Sequence, residues 1–293
     1  MRIADLIRER GPLTVAAFME LALYDSEIGY YARAGQRSGR AGDFFTSVDV
    51  GPVFGELLEM QLAEMWRLLH STLQTPRSEF DLVEAGAGNG RLSADILRTA
   101  RARDADFYRA ARLHLVEASA AARAAQPATL GDLGERLVAS SDALPASFEG
   151  VLIANELLDA FPVHQVVMRE DGLREVYVTG SDPNSGSDPD ERLRLVEGPP
   201  STPALAEYLD RLGVSLEPGW RVEINLRAVE WIRDAARRLT RGFIILIDYG
   251  HEARELYSLS HAAGTLTTYA RHQQRLQRPG VARQLGHLRR RFR

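Results

Sequence analysis

Residues 80–90, Phe-Asp-Leu-Val-Glu-Ala-Gly-Ala-Gly-Asn-Gly, restrict the fold more than any other stretch of this chain. A short apolar run enters three closely spaced glycines, Gly86, Gly88 and Gly90, and a helical pattern follows over about 92–102. Glycines let the backbone take positive φ and let another group approach closely. The helix start behind them carries partial positive charge. The same alternation then repeats. Residues 113–116 read as a strand ending in Glu117, followed by a helical stretch over 118–130. Further strands are predicted at 136–139, 150–154 and 242–247, the last preceded by a helix around 223–239. Strands alternating with helices predict an α/β fold with a parallel, doubly wound sheet, whose ligands bind beyond the carboxyl ends of the strands.

The glycine spacing narrows the ligand. A dinucleotide fingerprint needs Gly or Ala where Arg91 stands. A P-loop needs Gly-Lys-Ser/Thr, which does not follow. The pattern is G-x-G-x-G with Glu84 two residues before the first glycine, and it resembles the first motif of S-adenosylmethionine-dependent methyltransferases. A carboxylate there suits a ligand bearing an ammonium and a sulfonium better than a pyrophosphate. Glu117 is placed to accept ribose hydroxyls, the alternative being a helix N-terminal charge. Asp142 stands where an adenine amino group would find an acceptor, or is a turn residue in Ser-Ser-Asp-Ala. Asn155, Glu156 and Asp159 follow the fourth strand and point to the methyl-donor mouth; the alternative is a helix cap at Asn155 and a solvated Asp159. Asp248, Tyr249 and His251 follow the fifth strand and either line an acceptor site or lie on the surface.

The remaining chain is organised around this core. Residues 3–23 read as helix broken at Gly11-Pro12, 24–52 as a Gly-, Ser- and aromatic-rich loop, and 53–70 as helix. A long insertion, about 160–240, holds a hairpin at 163–179 and a Ser/Asp/Pro/Gly segment at 181–191. There is no Cys, which removes disulfides, thiolate metal sites and cysteine nucleophiles. The seven His show no paired spacing, so no metal is expected. No apolar run reaches the roughly 18–20 residues of a membrane span, and no signal or transit peptide is seen, so a cytoplasmic location is expected. Every basic residue is Arg. Up to Glu255, 28 arginines face 40 acids, a net of −12; residues 256–293 carry eight arginines and no acid. An acidic body makes nucleic acid an unlikely partner and a cationic one a better match.

Several motifs, in order, carry a family resemblance: GDFFTS (42–47), VEAGAGNG (83–90), LVE (115–117), ANELLDAFPVHQ (154–165), IDYGH (247–251) and GTLTTYARHQ (264–273). With DSEIGYY (25–31) and VFGELLEMQLAEMW (53–66), they resemble the MidA/NDUFAF7 family of S-adenosyl-L-methionine (SAM)-dependent protein arginine methyltransferases. The resemblance implies a Rossmann-like class I methyltransferase sheet with N-terminal helices and an insertion between strands four and five. It implies SAM as cofactor, held by Gly86, Gly88, Gly90 and Glu117, with Glu84, Asp142, Asn155, Thr46 and Ser47 beside them. The 42–47 loop would close over the cofactor or take the substrate side chain. Glu156 and Asp159, then Asp43, are the carboxylates expected to orient an acceptor guanidinium. The implied substrate is a protein arginine, a respiratory complex I subunit being one example. Small-molecule or RNA methylation, and a non-catalytic SAM-binding assembly factor or inactive remnant, are the alternatives.

The segments read as 1–75, an N-terminal helical region with the substrate loop; 76–255, the SAM-binding core with its insertion; and 256–293, a basic tail. After Pro279-Gly280 the chain departs from the family, reading VARQLGHLRRRFR. This predicts that the last hairpin beside strand five is missing, through truncation or frameshift; a divergent tail or an interaction tail is the alternative. The apolar GFIILI strand would then be an open edge.

Overall fold

The computed structural model describes residues 3–25, 27–31, 48, 51–71, 79–180, 193–270 and 273–276. In chain order the elements are α1 (Ile3–Arg10), β1 (Leu13–Thr14), α2 (Val15–Tyr24), α3 (Val53–Ser71), β2 (Phe80–Ala85), α4 (Arg91–Arg103), α5 (Ala105–Ala110), β3 (Ala111–Val116), α6 (Ala120–Leu130), β4 (Leu137–Ser141) and β5 (Phe148–Asn155). They continue with β6 (His164–Arg169), β7 (Gly172–Gly180), β8 (Leu193–Gly198), α7 (Ala204–Leu212), β9 (Arg221–Ile224), α8 (Leu226–Arg238), β10 (Leu239–Ile247), α9 (Ala253–Leu256), β11 (Thr267–Ala270) and β12 (Gln273–Leu276). These pack as two compact units that interleave in sequence. One holds residues 31–158 and 231–248; the other holds 1–30, 159–230 and 249–293.

The glycine loop belongs to the first of these units. Its sheet runs β10-β5-β2-β3-β4, and every pairing is parallel. Alternate residues go to opposite faces, as the twofold period of a strand requires. Leu82, Leu113, Leu115, Val151 and Ile153 pack into one apolar cluster with Leu62 of α3, Ile96 and Leu97 of α4 and Phe107 of α5. Val83, Ala85, Val116, Leu152 and Ala154 enter a second cluster with Ala235 of α8. A parallel sheet covered on both faces reads as near-continuous apolar runs, which is why VLIA and FIILI announce β5 and β10 in the sequence. The register aligns Ala85 with Val116 and Ala154, and Asn155 with Ile247, so four strands end at one level.

The second unit has an antiparallel sheet, β1-β7-β6-β9, with β8 also pairing β7. The predicted hairpin is there as β6 and β7, turning at Glu170-Asp171. Its core gathers Val166, Leu205, Leu209, Val222, Ile224 and Tyr257. Glu175 is buried within it. Burial pushes its pKa up, but bonds from His164 Nδ1 (2.7 Å) and the Ser201 N–H (2.6 Å) outweigh that and hold it below the usual range. Glu223 accepts from Gln165 Nε2 and the Thr265 N–H, 2.9 and 2.8 Å, fastening the Gly-Thr-Leu segment to β9. Beyond it, among the described residues, β11 and β12 pair only with each other. The sequence shows a motif there but no hairpin signal. Among the described residues β10 pairs with β5 alone. No described helix is long and apolar enough to cross a membrane.

Candidate functional site

The turn after β2 is built from three glycines in positive φ, +73° at Gly86, +52° at Gly88 and +83° at Gly90. The Gly86 and Ala87 N–H groups donate to the Val116 carbonyl (2.9 and 3.1 Å), and the Gly90 N–H to the Ala87 carbonyl (2.8 Å). The loop is thereby fixed to the end of β3. A side chain at Gly88 would meet nothing within 4 Å, so this residue faces open space. Gly90 caps α4 without a side chain.

The missing cap comes from Glu84. Its Oε2 accepts the Ser93 N–H at 3.2 Å and also bonds the Ser93 hydroxyl. Ser93 is the third residue of α4, whose first N–H groups have no partner within the helix. The sequence places Glu84 beside the methyl donor; in the structure its carboxylate lies on Ser93 at the start of α4. Glu84 shares a sheet face with Leu82, so period two turns it under α4, where it is 5% exposed. Burial pushes its pKa up to about 7, the Ser93 hydrogen bonds pull against that, and the negative charge of Glu117 adds to the rise.

Glu117 lies where the sequence places it, just past β3. Oε2 accepts the Gly88 N–H at 2.9 Å and Oε1 the Ser119 N–H at 2.8 Å. An ionised carboxylate offers about four lone-pair directions, so two backbone bonds leave acceptor capacity for hydroxyl groups. Ser119 caps α6 through the Ala122 N–H, 3.3 Å away. The Glu117 N–H donates to the Ser141 carbonyl, aligning the ends of β3 and β4, and Asp142 follows there, exposed.

On the other side, Asn155 ends β5 with a buried Oδ1 that has no hydrogen-bond partner among the described residues. Buried acceptors are seldom left so, and this one calls for a donor. Glu156 adopts φ +49°, uncommon for a residue with a side chain, and its N–H donates to the Ile247 carbonyl at 2.8 Å. The Leu158 N–H donates to Asp248 Oδ2 at 2.7 Å, so the chain after β5 is held to the chain after β10. The structure thus brings Gly86, Gly88, Gly90, Glu117, Asp142, Asn155, Glu156 and Asp248 to the carboxyl end of one sheet. Asp159, Tyr249 and His251 belong to the other unit. His251 there lies 3.2 Å from Glu255, and its ring is tilted against that of His261, centroids 4.6 Å apart. Asp43, Thr46 and Ser47 lie outside the described residues. No group of three metal-ligating side chains occurs among the described residues.

Two residues of the site escaped the sequence reading, Ser93 and Gln126. Gln126 is fully buried in α6; Nε2 donates to the Gly88 carbonyl at 2.8 Å and Oε1 accepts from Ser140 Oγ at 2.6 Å. Neither stands in a motif. Ser93 carried one weak signal, a hydroxyl in the first turn of a helix whose cap is glycine.

Comparison with known proteins bears on this geometry. A family model described as Putative S-adenosyl-L-methionine-dependent methyltransferase matches residues 57–285. The Mus musculus protein arginine methyltransferase NDUFAF7, mitochondrial, is 32% identical over 279 residues, 86% of this chain and 60% of that protein. Its Homo sapiens counterpart is 30% identical, over 84% and 58%. A crystal structure of a candidate methyl transferase from Burkholderia thailandensis, bound to S-adenosyl-homocysteine, is 29% identical with a TM-score of 0.80, covering 96% of this chain and 69% of that one. The chain spans about three fifths of the length of the curated relatives it matches.

Proposed function

Because the chain belongs to the MidA/NDUFAF7 family of SAM-dependent methyltransferases, we propose that it methylates a protein arginine with SAM as donor. The observation that carries the reading is the junction of glycine loop and acid: the Gly88 N–H on Glu117, with open space above Gly88. The residues fit the donor. Glu117 would take the ribose hydroxyls, the loop and the α4 N-terminus would take the aminocarboxylate end, and the orphaned Asn155 Oδ1 would receive an N–H or O–H. When bound, SAM supplies a methyl group already activated on a sulfonium, so the protein contributes mainly position.

The arginine acceptor is supported by the names of the mitochondrial relatives and by the acidic composition up to Glu255. Within the loop's own unit, Glu156 is the carboxylate suited to it. Its two oxygens match the paired N–H groups of a guanidinium and would turn one nitrogen toward the donor. Asp159 and Asp43 are the next candidates for the same task.

The experiment begins with calorimetric titration of S-adenosyl-homocysteine. Gly88→Val forces a β-branched residue into positive φ without filling the protein interior, so the fold should persist while affinity falls at least about tenfold. Tritiated methyl transfer from SAM into a lysate, separated into protein and RNA, then identifies the acceptor. Label in protein arginine, lost in Glu156→Gln, supports the proposal. Label in RNA or small molecules redirects it to those acceptors, and binding without transfer points to a non-catalytic role.

A further inference from the structure

Gln126 contributes a second clamp on Gly88, and it has no place in the reading above. Both peptide groups flanking Gly88 are held by buried or half-buried side chains. The one before it donates its N–H to Glu117 at 2.9 Å; the one after it offers its carbonyl to Gln126 Nε2 at 2.8 Å. Gln126 is itself fixed, because Ser140 Oγ on β4 donates to its Oε1 at 2.6 Å. Its side chain is 0% exposed, so Nε2 has no water to fall back on. Nor is the contact incidental to packing: the Gln126 stem also lies under Gly90, 3.6 Å from where a Cβ would stand.

The geometry has a directional consequence. In a trans peptide the carbonyl and the following N–H point opposite ways, and the described chain has no cis bond. Drawing the Gly88 carbonyl down to Gln126 therefore turns the Asn89 N–H away from Gln126, on the side opposite α6. We propose that Gln126 is a positioning residue of the methyl-donor loop: it fixes the Gly88–Asn89 peptide so that the Asn89 N–H is presented to an acceptor oxygen of the donor's carboxylate. The inference rests on the donor-binding reading of the loop and adds what sets the loop's affinity. Without Gln126 the half-buried Gly88 carbonyl loses its donor, and the peptide is free to rotate and offer its oxygen where the ligand needs an N–H.

The test compares wild type, Gln126→Met and Leu130→Ala. Methionine keeps the length and volume of the side chain but cannot donate to Gly88. Leu130 is a buried apolar residue of the same helix and makes no hydrogen bond to the loop, so its truncation reports simple destabilisation. Calorimetry with S-adenosyl-homocysteine should show roughly a tenfold or greater loss of affinity in Gln126→Met, and less than twofold in Leu130→Ala at a temperature where both are folded. Hydrogen exchange on the ligand-free proteins should show faster exchange confined to residues 86–90 in Gln126→Met. Unchanged affinity in Gln126→Met beside a binding wild type overturns the inference and leaves the donor reading intact. Equal losses in both variants also overturn it, as a structural role. A wild type that binds no S-adenosyl-homocysteine overturns both.

Discussion

At the scale of single residues, Glu84 shows how a motif position can act from behind. A carboxylate two residues before a glycine loop suggests a ligand contact, yet strand periodicity turns it under α4, onto Ser93. Its proton then becomes a stability variable. With a native pKa of about 7 against an ordinary 4.5, the folded protein holds a proton between those values that the unfolded chain has released. Stability from this group is complete below about pH 4.5 and is lost as pH rises through about 7. Glu84→Gln keeps the shape and still accepts from Ser93. The difference in unfolding free energy between variant and wild type should therefore grow in the variant's favour across this window, by up to ~3 kcal/mol. Urea denaturation from pH 4.5 to 8 measures it. Glu175 and Asp81, whose pKa values are lowered, act with the opposite sign in both proteins and cancel from the difference. A difference that does not change with pH would show that Glu84 is ionised throughout.

Among the elements, the pairing of β5 with β10 depends on two glycines standing opposite each other, Gly150 and Gly242. Both have positive φ, and a Cβ at Gly150 would fall on the Asp81 carbonyl of β2, one at Gly242 on the Gly150 carbonyl. Backbone on a central strand has nowhere to move. Gly150→Ala should lose more than ~3 kcal/mol or fail to accumulate as soluble protein, read by urea denaturation or by soluble yield. The strands that carry the site were legible because each is an apolar run closed by polar residues, and the order Glu84, glycines, Glu117, Asn155 follows from βαβ succession. The short α5, ADFYRA, carries too little periodicity to be seen. β8 alternates weakly, and β9 alternates over only four residues, so their neighbours in the antiparallel sheet make them strands. Gln126 was invisible for a different reason: a buried amide in an alanine-rich helix acquires meaning only from the carbonyl facing it across the fold.

For the molecule as a whole, the consequence lies at the outer edge of the five-stranded sheet. β10 reads LTRGFIILI, a sequence suited to an interior strand, yet among the described residues it pairs only with β5. Leu246 is 39% exposed, and Phe243, Ile244 and Ile245 are half-buried. Edge strands ordinarily carry charge, proline or a bulge that deters pairing with a second chain; this segment from Gly242 to Ile247 has none of these. The chain should therefore self-associate as its concentration rises, with an increase in sedimentation coefficient over roughly a hundredfold range. Leu246→Lys places a charge on the most exposed apolar side chain of the strand. It should shift that association to higher concentration at a cost of about 1–3 kcal/mol of stability, because the side chain it replaces is more than half buried. A wild type that stays monomeric throughout, with Leu246→Lys indistinguishable from it, would mean that the edge is covered, and hydrogen exchange would then find the amides of 243–247 as protected as those of β2.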